Sequence, residues 1–295
     1  MGRSHVVVSK DSRGIALAAL SAILFGTLPI FAKYAYDDGA QAIPLLAARF
    51  FTATVLLVLF AVVAKRNIGT TRRRAARLLL LGAFGYAFEA SLYFAALTRA
   101  PAGIVGLVFY SYPLWTNIGG LVTGLERFHP RSLAALALAT GGIALIFSIP
   151  QTDLAGPLLA LGAALAVSVY YLFAQVFVRD VEPLIASILT AAGAAVSLSV
   201  VGIVTGQRLP VDALPDAAAL GLVTSLAFVC LYAAVAQIGS SKTAITHMLE
   251  PVTTVLLAAL ILGDEITARI GIGAALIVAA LPILAARRRA KPLVE

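Results

Sequence analysis

Charge is scarce in this 295-residue chain: Asp, Glu, Lys and Arg make up 12% of it, against about 25% in an ordinary soluble domain. A water-soluble fold is therefore not expected. Cysteine is nearly absent too. Cys230 stands alone, which excludes an internal disulfide and a cysteine-based metal cluster and leaves it as a small apolar packing residue. Of the three histidines, His5 and His129 belong to connectors and only His247 lies in an apolar run. The chain contains no HExxH, no GxSxG and no Walker motif, so metal-assisted hydrolysis, a serine-hydrolase elbow and direct ATP use have no foothold. No catalytic residue, metal or cofactor is expected.

What remains is apolar. Hydrophobic residues make up 61% of the sequence and the mean hydropathy is +0.98. Apolar stretches of roughly 20 residues recur along the whole length, each enough to cross a ~30 Å hydrocarbon core at about 1.5 Å per residue. Ten spans are predicted: 14 to 32, 43 to 64, 76 to 98, 102 to 124, 132 to 149, 155 to 178, 183 to 205, 215 to 237, 243 to 262 and 268 to 286. The connectors are too short for a folded soluble domain, so the protein's work is expected to lie within the bilayer. MGRSHVVVSKDSRG is polar and basic, unlike a cleaved signal peptide. Residues 1 to 13 and 288 to 295 read as mobile cytoplasmic tails.

The net charge of +8 raises nucleic acid as a partner, but the distribution of the cations argues against it. With the N-terminus inside, the outer connectors hold only Lys33, Arg99, Arg208 and Arg269. Arg49 sits just within the second span, near enough to a helix start to snorkel to the interface. All other lysines and arginines fall on the inner side, including the cluster from Lys65 to Arg77. The positive-inside rule thus gives an inner-membrane protein with both termini cytoplasmic.

The sequence also repeats itself. LYFAALTRAPAGIVGLVFYSYPLWTNIGGLVTGLE, from Leu92, realigns on LYAAVAQIGSSKTAITHMLEPVTTVLLAALILGDE, from Leu231. Tyr93 falls on Tyr232, Pro113 on Pro251 and Glu126 on Glu265. A fainter match sets LSAILFGTLPIF, from Leu20, on LGAALAVSVYYL, from Leu161, with Thr27 on Ser168. Two units follow, 1–150 and 151–295, each of five helices. Because five is odd, the second must enter from the opposite side. The expected fold is an all-α membrane protein of ten transmembrane helices, arranged as two inverted five-helix repeats around a central cavity. Both repeats occur in one chain, so a monomer is expected.

LFGTLPIFAK in the first span, LYFAAL and LYAAVA in the third and eighth, and proline-containing fourth and ninth spans ending in GLE and LGDE resemble the EamA-type family of the drug/metabolite transporter superfamily. The resemblance covers essentially the whole chain, and GLE departs from the family's usual LGE order. Within the family, FEASLYFAALTRA followed by VFYSYPLW is similar to the YddG-type exporters of aromatic amino acids. The resemblance implies a secondary transporter for a small molecule.

Ionisable groups at mid-membrane usually face a cavity or a partner, and two carboxylates qualify, Glu89 and Glu250. In the third span Tyr86, Glu89 and Tyr93 share one helical face. In the ninth, Thr243, His247, Glu250 and Thr254 form a polar line. Ser168, Tyr171 and Gln175 do so in the sixth, and Ser225, Phe228 and Tyr232 in the eighth. Interhelical hydrogen bonding is the competing explanation for such polar faces. Tyr110, Tyr112 and Trp115 lie near mid-depth, away from the helix ends where interfacial anchors sit. Their rings suit a planar substrate or its cation, with Asn117 adding hydrogen bonds; core packing is the alternative. Pro113 and Pro251 interrupt helical hydrogen bonding in matched positions. Pro251 is expected to free the carbonyl of His247 and Pro113 that of Phe109, making hinges or simply shaping the packing.

Three functional classes stay open. A secondary transporter of amino acids, aromatic ones first, is favoured. A nucleotide-sugar or phosphate-ester exchanger would require buried Lys or Arg. An intramembrane enzyme would use His247 and Glu250 as an acid/base pair, and a non-transporting sensor or scaffold is the third class. Coupling to protons through Glu89 or Glu250 and facilitated diffusion stand level.

Overall fold

In a computed structural model of the protein, residues 10–100, 102–127, 129–146, 154–263 and 265–285 are described, and among them every regular element is helical. α1 (Lys10–Asp37), α2 (Ala42–Val63), α3 (Arg72–Leu80) and α4 (Ala87–Leu97) come first, with a π-helical turn, Leu81–Tyr86, joining α3 to α4. α5 (Ala102–Phe109), α6 (Tyr112–Val122) and α7 (Pro130–Ile146) complete the first half. The second half holds α8 (Ala155–Phe177), α9 (Pro183–Val204), α10 (Leu214–Thr246), α11 (Leu249–Leu257) and α12 (Ala268–Ala285), with a second π turn, Ala258–Leu262, after α11.

Each of the ten expected stretches is helical. By length and apolarity seven qualify as membrane crossings, while Pro130–Ile146 and Leu249–Leu262 are apolar but shorter. Helix starts carry familiar signals. The Thr71 hydroxyl accepts the Arg74 amide at 3.4 Å, and α6, α9 and α10 have proline in the first turn, where its missing N–H costs nothing. Large apolar side chains such as Phe51, Val62, Ile203 and Leu260 are exposed on the outer surface of the bundle, as a bilayer would demand.

Three expectations are corrected. α1 begins at Lys10, so the last residues of the expected N-terminal tail belong to a helix; residues 1–9 and 286–295 lie outside the described residues. The fourth span breaks between α5 and α6 at Tyr110 and Ser111, and the ninth between α10 and α11 at His247 and Met248. Finally, Pro251 does not leave the His247 carbonyl free: the Glu250 amide donates to it at 3.0 Å. The chain tightens into a three-residue turn there, a common way to satisfy carbonyls at a helix end. Pro113 and Pro251 therefore sit in the first turn of a new helix segment.

The two halves interlock. The most extensive packing runs between them, α1 on α10, α2 on α9, α7 on α12 and α4 on α8. The pattern survives exchange of the halves: the first span packs on the eighth and ninth as the sixth packs on the third and fourth. The fourth and ninth spans end alike, with Gly124 at φ 69° and Gly263 at φ 77°, a left-handed cap that glycine takes without strain. Each stands two residues before its glutamate, Glu126 or Glu265, so the GLE order keeps the repeat in register.

Candidate functional site

A cavity of about 600 Å³ lies between the halves. Its mouth is at the end of the bundle where α1 finishes, beside the exposed Lys33, Tyr36 and Asp37. Its floor is at mid-depth, where the breaks in the fourth and ninth spans meet the polar faces of the third and sixth. α1 supplies Phe25, Leu28 and Pro29; α2 supplies Leu45, Leu46 and Arg49; the π turn and α4 supply Tyr86, Glu89 and Tyr93. Phe109, Tyr110 and Tyr112 come from the broken fourth span, Tyr170 and Tyr171 from α8, Phe228 and Leu231 from α10, and His247 and Glu250 from the broken ninth.

The rings form a connected set. Tyr112 stacks on Tyr171 with centroids 5.6 Å apart and planes 25° apart, while Tyr93 meets Phe109 edge-on at 4.9 Å. Phe50 meets Tyr86 edge-on at 4.7 Å, and His247 sits between Phe25 at 5.9 Å and Tyr171 at 6.1 Å. These edge-on and offset arrangements follow the ring quadrupole. Glu89 is buried, and the Tyr110 phenol hydrogen-bonds the Glu250 carboxylate. The Nε2 atom of His247 is buried with no hydrogen-bond partner, a polar atom left for whatever enters.

Nine of the residues singled out from sequence line the cavity: Tyr86, Glu89, Tyr93, Tyr110, Tyr112, Tyr171, Phe228, His247 and Glu250. Five are placed elsewhere. The Trp115 Nε1–H donates to Ser111 Oγ at 3.1 Å, and Asn117 turns back to the Pro113 carbonyl at 2.8 Å. Both bonds run one turn back along their own helix. Ser168 donates to the Tyr112 carbonyl at 2.9 Å, bracing the cavity floor from behind. Tyr232 is fully buried, donating to Thr190 Oγ1 at 2.8 Å and sharing a 2.7 Å hydrogen bond with Tyr170. Thr254 ties α11 to the Gly26 carbonyl of α1 at 3.0 Å. For Ser168, Tyr232 and Thr254 interhelical bonding explains the polar face.

Arg49 is the main residue that sequence reasoning misplaced. It does not snorkel. Its side chain is buried, its Nε–H donates to Thr224 Oγ1 at 2.6 Å, and its guanidinium lies over the rings of Phe50 at 4.9 Å and Phe25 at 5.9 Å. The signal was its depth: seven residues into α2 is roughly 10 Å from the helix start at 1.5 Å per residue, far for a side chain to return. Phe25, Phe109 and Tyr170 were missed because an aromatic in an apolar helix carries no sign of which way it points.

The opposite end of the bundle, which carries the basic connectors, is crossed by polar contacts beside a smaller cavity of about 240 Å³ lined by Asp11, Asn117, Glu126, Ser241 and Lys242. Gln175 accepts the Ser240 amide at 2.7 Å and donates to the Leu125 carbonyl at 3.4 Å. Lys242 pairs with Asp11 at 3.0 Å. Gly239, at φ 81° and ψ 170°, packs so tightly that a Cβ there would land on the Glu126 carboxylate. Burial raises the pKa of Glu126 above its ordinary 4.5, partly opposed by the Ser241 amide, Gln175, Lys242 and His129. Among the described residues no group of three His, Cys, Asp or Glu side chains assembles as a metal site.

A bundle whose described residues are helical, in two interlocked halves with a large polar and aromatic cavity entering from one end, suits a membrane transporter of small molecules. The chain belongs to the EamA-like transporter family, whose family model matches twice, over residues 12–148 and again over 154–285. The family is one of transporters and not of enzymes. No curated protein matches the chain. Among solved structures, the crystal structure of a protein at 21% identity superposes with a TM-score of 0.77, covering 92% of this chain and 96% of the other. At that identity the likeness concerns the fold.

Proposed function

We propose that the protein is a secondary transporter of the inner membrane that exports amino acids, aromatic ones foremost, by alternating access between two inverted five-helix repeats. The observation that carries the reading is the cavity itself, with stacked tyrosines around a floor that holds Glu89, Glu250, His247 and Arg49. Its volume of about 600 Å³ falls in the ordinary range for small-molecule sites, about 300–1,000 Å³. Aromatic walls and a few convergent polar groups suit a molecule with a flat apolar body and a charged head. The exchange symmetry of the helix packing supports the inverted relation. The basic connectors at the end opposite the cavity mouth favour cytoplasmic termini by the positive-inside rule, and the cavity then opens outward. Both halves reside in one chain, which supports a monomer.

A phosphate ester suits the cavity less well. Its carboxylates, Glu89, Glu250 and Asp37, outnumber its cations, Arg49 and Lys33, so a multiply charged anion would meet an unfavourable wall. The test is flux into proteoliposomes containing only this protein, comparing labelled Phe, Trp, Thr and Lys with a nucleotide sugar. Saturable uptake of Phe and Trp is expected. Uptake of the nucleotide sugar alone, or of nothing across a broad metabolite panel by folded protein, would overturn the reading.

A further inference from the structure

We infer that Arg49 is the anchor for a carboxylate on the transported molecule, which makes it the residue that distinguishes an amino acid from the corresponding amine. The inference rests on the amino-acid reading above. It begins with a buried charge that feels Glu89 and Glu250 only at a distance and forms no direct ion pair with either. Arg49 is 6% exposed, and a guanidinium stays protonated in a protein. A cation at this depth is costly unless it meets an anion. Yet no carboxylate approaches it closely: the described ion pairs within 4.0 Å join Lys33 to Asp37, Arg74 to Asp180 and Lys242 to Asp11, and none includes Arg49.

The side chain is also held as an anchor should be. Its Nε–H is fixed by Thr224 Oγ1 at 2.6 Å, and that hydroxyl in turn donates to the Leu220 carbonyl at 2.7 Å. Phe50 and Phe25 take the face of the guanidinium. The Tyr86 phenol hydrogen-bonds the guanidinium, and a phenol supplies no formal charge. The planar fork is thus orientated in advance, in a cavity wall, with the terminal donors that Tyr86 leaves free available for a bidentate carboxylate. Glu89 and Glu250 line the same cavity within Coulombic reach of Arg49 and offer the complementary sites for an ammonium. A zwitterion bound between them would meet opposite charge at both ends, whereas an amine or a carboxylic acid would leave one buried group unpaired.

The experiment compares phenylalanine, phenethylamine and 3-phenylpropanoate in proteoliposomes of the wild type, Arg49→Gln, Arg49→Lys and Thr224→Val. Wild-type protein is expected to prefer phenylalanine to both analogues. Arg49→Gln should raise the half-saturation concentration for phenylalanine at least tenfold, about 1.4 kcal/mol, while that for phenethylamine shifts less than twofold. Arg49→Lys should fall between, since a point charge loses the bidentate geometry. Thr224→Val keeps the charge but frees the fork, and should weaken phenylalanine selectively even if Arg49→Gln does not fold. The anchor is refuted if the wild type moves phenethylamine as readily as phenylalanine. It is also refuted if the folded Arg49 variants and Thr224→Val weaken both ligands equally, since that would make Arg49 a structural counterion to the carboxylates. A wild type that moves none of the amino acids sinks the amino-acid reading as well, which separates the two failures.

Discussion

Replacing Gly239 by alanine tests whether the end opposite the cavity is a built closure. The residue has φ 81° and ψ 170°, a region reserved in practice for glycine, and a side chain held there costs about 1–3 kcal/mol. A second penalty comes from the neighbour. The added methyl would fall on Glu126 Oε1, with Cδ only 3.2 Å away, so the carboxylate must leave the Ser241 amide and Gln175 that face it. Losing such a contact adds about 0.5–1.5 kcal/mol. Equilibrium unfolding of the purified protein in detergent should therefore show a loss of about 2–4 kcal/mol for Gly239→Ala. In a Glu126→Ala background the collision vanishes and the backbone strain remains, so the loss should shrink, giving a coupling of about 0.5–1.5 kcal/mol in the double-mutant cycle. A Gly239→Ala protein within about 0.5 kcal/mol of the wild type, the scatter of ordinary surface changes, would refute the geometry. Strict additivity with Glu126→Ala would refute the contact.

Glu126 itself predicts a pH dependence. Its folded pKa is raised above 4.5 by burial, so the folded chain binds the proton more readily than the unfolded one. Its contribution to stability is present below about pH 4.5 and is lost as pH rises through the raised value; Glu126→Gln should flatten that part of the profile, and an unchanged slope would count against it. Tyr232→Phe removes the 2.8 Å bond to Thr190 and the 2.7 Å bond to Tyr170, with an expected loss of about 1–3 kcal/mol in unfolding experiments. Because Tyr232 is off the cavity wall, half-saturation for substrate should stay within twofold; a large rise with no loss of stability would return it to the site. If Glu89 or Glu250 carries a coupled proton, Glu89→Gln and Glu250→Gln together abolish the response of flux to an imposed pH gradient. Unchanged flux and response in both variants would leave facilitated diffusion.

The parts of this molecule that could be read from sequence are those written in periodicity. Span length, the clustering of basic residues in alternate connectors and the matched Tyr93 and Tyr232 depend on composition at fixed spacing, which a single chain displays. Tyr86, Glu89 and Tyr93 were placed on one face by helical spacing, and all three line the cavity. Spacing fixes a face but not what that face meets. Tyr171 and Ser168 lie on the same face of α8, yet Tyr171 reaches the cavity and Ser168 turns to the Tyr112 carbonyl behind it. Tyr232 and Phe228 divide in the same way on α10. Arg49 was misjudged for a different reason: snorkelling weighs the depth of a residue against lipid, whereas Thr224 and two phenylalanines, remote in sequence, offered it a protein interior.

Equivalent positions in the two halves show why an internally repeated sequence suits the proposed mechanism. Glu126 and Glu265 occupy matching places after matching left-handed glycines, Gly124 and Gly263. Glu126 is packed against Gly239 of the other half, while Glu265 is exposed near the open end. The family model matches both halves, yet the two glutamates differ in how they are packed. On the proposed alternating-access reading, the two halves would have a second arrangement available, in which the roles exchange. The energy separating the two is then set by contacts confined to one end, such as Gly239 on Glu126, Gln175 on Ser240 and Lys242 on Asp11. The exposed ion pair among them is worth about 0.2–1 kcal/mol, so the Glu126 and Gln175 contacts dominate the closure. On the transporter reading, Gly239→Ala should favour the conformer open at the basic end, and a cysteine placed at Ser241 in a Cys230→Ser protein should label faster from that side. Equal labelling rates with and without Gly239→Ala would show that these contacts stabilise the fold without governing which end is open.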